Sequence, residues 1–219
     1  MNVWPWLLAP VIILAITWIV LASRRRERKR TEELQYLATA MDCTFEAAGD
    51  VESLRAIGDL PLFQRGHSKR VKNVMTARAD ADGAKFLDYQ YTTGSGKNQH
   101  TSAQTVALFP RGVPSLPELV LAPENVFHKI GQAFGYKDID FDSAPEFSTS
   151  YLLRGPDETA IRAAFHPDTL SFFAQHAGWT VEARNGTAAI YRAGKRHKPA
   201  DVRTFIEDAR RVRSALKRD

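Results

Sequence analysis

A single cysteine among 219 residues means that no intrachain disulfide staples this chain. The fold has to be held by an apolar core, which fits a reducing compartment and would equally fit a Cys-poor extracytoplasmic domain. Cys43, in Met41-Asp42-Cys43-Thr44, has no histidine close by in sequence and reads as a small buried residue rather than a nucleophile. Catalytic signatures are missing too. There is no Gly-x-Ser-x-Gly elbow and no dinucleotide fingerprint, and none of the six histidines (His67, His100, His128, His166, His176, His197) forms a close pair at metal-binding spacing. No low-complexity linker or repeat divides residues 31–219, whose length suits one compact domain.

What is present begins at Val3. An apolar run reaches Ala22 and stops at Ser23 and Arg24-Arg25-Arg26-Glu27-Arg28-Lys29-Arg30. At about 1.5 Å per residue its twenty positions would cover about 30 Å, the hydrocarbon thickness of a bilayer. A cleaved signal peptide carries its positive charge ahead of the apolar part, whereas only Met1 and Asn2 precede this run. The expectation is therefore an uncleaved transmembrane anchor over 1–23, a basic juxtamembrane segment over 24–33 and a cytoplasmic domain over 34–219. Trp4, Trp6 and Trp18 would sit at the headgroup levels, and Arg24, Arg25, Arg26, Arg28, Lys29 and Arg30 would meet anionic lipid on the cytoplasmic side. Pro5 suits a first helical turn and Pro10 predicts a mild kink. The N-terminus would lie outside a bacterial inner membrane.

The net charge of +5 suggests nucleic acid until it is divided along the chain. Residues 1–30 carry +5, residues 31–194 carry −5 and residues 195–219 carry +5. Lipid attraction accounts for the first cluster. A solvated helix face accounts for the last before a second lipid patch or a phosphate surface is needed. Nucleic acid is not an expected partner, and a protein partner has no readable identity.

Periodicity then assigns the elements. Leu34, Leu37 and Met41 share a helical face. Leu54 to Ile57 reads as a turn. Val71 to Arg78, Lys85 to Thr92 and Gln104 to Phe109 read as strands, joined by Asp82-Gly83 and by Gly94 to Asn98, with Leu119 to Leu121 as a fourth. Pro123-Glu124 would open a helix running through Phe134. Phe147 to Leu153 is expected as a strand, followed by helices opened by Pro156 and Pro167. Asn185-Gly186 predicts a two-residue hairpin pairing Val181 with Ile190 and Ala183 with Ala188, those four on one face and Thr180, Glu182, Arg184, Thr187 and Tyr191 on the other. A last helix over about Pro199 to Lys217 aligns Val202, Phe205, Ile206, Ala209, Val212 and Leu216. The class is α+β: a transmembrane helix, then a mainly antiparallel sheet packed with several helices and closed by a long C-terminal one.

Asp138-Ile139-Asp140-Phe141-Asp142, Pro145-Glu146-Phe147-Ser148, Tyr151-Leu152-Leu153-Arg154-Gly155 and Asp157-Glu158 resemble a family of uncharacterised bacterial single-pass membrane-anchored proteins. Leu119 to Glu124 and Leu170 to Phe173 are similar as well. The resemblance spans about residues 34–210 and implies a bacterial single-pass protein. It carries over no catalytic residue, ligand or partner.

Two stretches invite chemistry. Asp138, Asp140 and Asp142 alternate like a calcium loop, but Ser143 stands at the glycine position and Thr149 at that of the closing glutamate. A strand edge with Ile139 and Phe141 inward explains the pattern. Gly94 to Asn98 lacks the first glycine and the hydroxyl of a phosphate loop, with Tyr91 and Asn98 in their places, and its strand flanks make it a hairpin loop. No catalytic, metal or cofactor residue is assigned. The leading reading is a tethered, non-enzymatic interaction or sensory module. The alternative is an enzyme whose polar site gathers Asp138, Asp140, Asp142 and Arg154.

Overall fold

The computed structural model describes residues 4–78, 83–113, 115–126 and 136–217. Its framework is one eight-stranded sheet in the order β1-β2-β3-β4-β8-β7-β5-β6, antiparallel at every pairing. The strands are β1 (Cys43–Gly49), β2 (His67–Ala77), β3 (Lys85–Thr93), β4 (His100–Phe109), β5 (Leu119–Pro123), β6 (Tyr151–Arg154), β7 (Thr180–Arg184) and β8 (Thr187–Tyr191). The helices are α1 (Trp4–Ala40), α2 (Val51–Gly58), α3 (Pro61–Gln64), α4 (Pro145–Ser150), α5 (Glu158–Ala164), α6 (Pro167–Gln175) and α7 (Pro199–Leu216).

Helices cover both faces of this sheet, so its central strands are apolar on both sides. On one face Leu34 and Ala38 of α1, Phe147 of α4, Ile161 of α5, Phe173 of α6 and Phe205 of α7 pack on Phe86, Ala107, Val181 and Ile190. On the other, Leu54 of α2 and Leu62 and Phe63 of α3 pack on Leu87, Tyr89, Val106 and Tyr191. The predicted hairpin has the expected register, Val181 opposite Ile190 and Ala183 opposite Ala188, and Asn185 (φ 52°) with Gly186 (φ 72°) supplies its left-handed turn. Its second face is not wet. Thr180, Glu182 and Tyr191 are fully buried because α2 and α3 lie over them.

Three local expectations change. Leu54 to Ile57 belongs to a helix capped by Asp50, whose carboxylate accepts from the Glu52 and Ser53 amides. Residues 147–150, expected in a strand, close the short helix α4, which Pro145 opens and which seats Phe147 among Phe141, Tyr151, Phe165 and Phe173. Burial of that ring outweighs the strand preference of Phe147 and Thr149 themselves. Residues 138–142 form no strand, although Ile139 and Phe141 do point inward. The helix expected from Pro123-Glu124 through Phe134 falls largely outside the described residues.

The transmembrane anchor expected over 1–23 is corrected here. Among the described residues no helix is long and apolar enough to cross a membrane. Side chains of α1 are described from Pro10 onward. The same helix then runs unbroken through the arginines and onto the sheet, across both boundaries expected at 23 and 33. The transmembrane part of the fold class and the single-pass description are dropped, and the α+β part stands.

Candidate functional site at the root of the long helix

Where α1 meets the sheet, the packing is polar, and it starts from an irregularity in β2. The β2–β3 register slips between Lys72 and Met75, and Asn73 sits in the left-handed region at φ 53°. Asparagine tolerates that conformation better than most residues. The bulge turns Asn73 inward, where its Nδ2 donates to Asp88 Oδ2 at 2.8 Å.

Asp88, in mid-β3, is the centre of the cluster. Arg30 of α1 grips its carboxylate in a fork, Nε to Oδ2 at 2.8 Å and Nη2 to Oδ1 at 2.7 Å. Thr105, its register partner on β4, donates from Oγ1 at 3.3 Å, and Arg196 lies 3.2 Å away. Arg30 Nη1 also donates to the His197 carbonyl at 2.6 Å, and the His197 amide donates to Thr105 Oγ1 at 2.9 Å. One turn back along α1, Glu27 accepts two bonds from Arg196, at 2.7 and 2.9 Å, with Lys72 3.6 Å away. Residues 27 and 30 lie on one helical face, so both charges point at the sheet together.

The electrostatics follow from burial. Desolvation opposes ionisation of Asp88, but the Arg30 hydrogen bonds and the charges of Arg30 and Arg196 prevail and hold its carboxyl below the usual range. Glu27 is lowered chiefly by its bond from Arg196. His197, its ring tilted against that of Phe205 at 4.6 Å, is pushed down first by burial and then by the charges of Lys195 and Arg192. A cavity of about 20 Å³ beside Glu27, Lys72, Asp88 and Arg196 matches roughly one water. The junction joins α1 to the sheet.

The residues expected to meet lipid divide here. Arg24, Arg25, Arg26, Arg28 and Lys29 are exposed, whereas Arg30 is 9% exposed and committed to Asp88. Trp18 is 70% exposed; the side chains of Trp4 and Trp6 lie outside the described residues. Ahead of the basic residues Val11, Ile12, Ile13, Leu14, Ile16, Ile19, Val20 and Leu21 are exposed as well. At 100° per residue these positions surround the helix rather than forming a stripe.

Of the residues of the alternative enzyme site, Asp138 lies within electrostatic reach of Asp140 and Arg154. Asp138 is spent on backbone, its Oδ1 accepting from the Ile139 and Leu153 amides at 3.1 and 2.8 Å. Desolvation raises its pKa most, the Leu153 bond opposes this, and the charges of Asp140 and Arg154 both reach it. Asp140 and Asp142 are exposed, and no group of three potential ligands among the described residues could hold a metal. The Gly94 to Asn98 segment is the β3–β4 hairpin loop.

Sequence reasoning also missed a second buried ion pair. Glu182 accepts from the Leu62 amide at 2.6 Å, from the Tyr191 hydroxyl at 2.6 Å and from Arg65, fastening α3 to the sheet. The available signal was a carboxylate in mid-strand between apolar neighbours, Asp88 between Leu87 and Tyr89 and Glu182 between Val181 and Ala183. Comparison with known proteins finds no matching family model, curated protein or solved structure. The family resemblance therefore rests on the residues quoted above alone.

Proposed function

We propose that this chain is a non-enzymatic interaction module that holds the apolar stretch of α1 in a fixed direction and engages an anionic lipid surface with it. The observation that carries this reading is the exposure of large apolar side chains on every side of α1 between Val11 and Leu21, in a helix locked to the sheet by Glu27 and Arg30. A groove on a partner would cover one stripe and leave the other sides in water. Arg24, Arg25, Arg26, Arg28 and Lys29 follow directly and suit lipid phosphates, at about 1 kcal/mol each near a charged surface. The continuous helix supports the sensory side of the reading, because a tilt at its apolar end reaches β3 and the segment before α7 through the same ion pairs.

Flotation of the full-length chain with vesicles tests this. Vesicles with a third phosphatidylglycerol should carry the protein, and Arg24, Arg25 and Arg28 changed together to glutamine should weaken that binding about tenfold or more. Residual binding should persist at high salt, because screening removes the charge contribution and leaves the apolar one. Equal recovery with and without vesicles would refute the proposal.

A further inference from the structure

A second surface of α1 has the character of a contact between copies. Beside the N-terminal turns of α7 lies an open groove of about 860 Å³, walled by Glu32, Glu33, Tyr36 and Leu37 on one side and by Lys198 and Arg203 on the other. Leu37 packs partly on the core, but Tyr36 is 80% exposed. Around α1, Glu32 and Tyr36 lie opposite the buried Arg30 and Leu34, so their side of the helix turns away from its own domain.

We propose that a second copy of this chain occupies the groove, about a two-fold axis running along α1. The argument is charge complementarity at one height. Rotation about an axis parallel to α1 leaves every residue at its own level, and the acidic and basic walls flank the same groove. Each copy's Glu32 and Glu33 then face the other's Lys198 and Arg203, twice over, as an isologous contact requires. Each Tyr36 enters the opposite groove as the central aromatic anchor. The axis also sends both apolar stretches in one direction, which suits a single lipid surface, although the pairing itself does not depend on that surface.

The full-length chain in a mild detergent that coats Val11 to Leu21 provides the test, with protein mass read by sedimentation. The native chain should have twice its 24.5 kDa mass. Glu32→Lys with Glu33→Lys should be monomeric, and so should Lys198→Glu with Arg203→Glu. An equimolar mixture of these two variants should return to the dimer, because each supplies the sign the other has lost. Misfolding would not be repaired by mixing. A monomeric native chain, variants that stay dimeric, or a mixture that stays monomeric would each overturn the proposal.

Discussion

Asp88 shows how one side chain organises its surroundings. It is ionised while nearly buried because Arg30, Asn73, Thr105 and Arg196 all direct positive charge or a donor at it. Replacing one partner would leave a charge without compensation, which is costlier than replacing the whole cluster with apolar groups. The pKa directions set a pH window. Asp88 and Glu27 titrate below their usual values in the fold, so their contribution is complete above about pH 4.5 and is lost as pH falls through the lowered values. His197 is also lowered, but as a base: below about pH 6.5 the unfolded chain takes up a proton that the fold resists, so stability declines there as well. Acid unfolding should therefore have two limbs. His197→Gln should flatten the limb that begins below about pH 6.5 and leave the lower one, as measured by urea midpoints across pH.

At the scale of elements, the junction makes α1 part of the folded domain. Arg30→Met should cost about 3 kcal/mol by urea unfolding, the range for breaking a buried pair, and should speed amide exchange over residues 27–40. Unchanged exchange there would mean that Leu34 and Ala38 suffice to dock the helix. Local chemistry explains which elements were legible in the sequence. Asn185-Gly186 with alternating neighbours fixed the β7–β8 register, and the 3.6-residue stripe from Val202 to Leu216 located α7 and its buried face. Edge strand β1 escaped because most of its side chains are exposed, which leaves little apolar alternation to read. Short α4 escaped because one buried ring, Phe147, decides its conformation. The polar junction was least legible of all. Its residues lie far apart in sequence, on α1, β2, β3, β4 and the segment before α7, and the bulge that aims Asn73 has no sequence mark. Arg30 looked like one more member of a basic run until the helix phase placed it beside Glu27 on the sheet side.

The whole molecule pairs a two-faced core with a rod. α1 is about 55 Å long at 1.5 Å per residue; its C-terminal part is docked, and among the described residues none covers the stretch from Val11 to Leu21. The expected spanning anchor is replaced by a claim about what that stretch touches, and Trp18 reports on it directly. In the variant Trp4→Phe with Trp6→Phe the remaining indoles are Trp18, exposed on α1, and Trp179, 2% exposed in the core. Phosphatidylglycerol vesicles brominated on their acyl chains should quench the Trp18 part of that variant's fluorescence, while leaving a further Trp18→Phe variant unquenched. Equal quenching of the two variants would contradict the account.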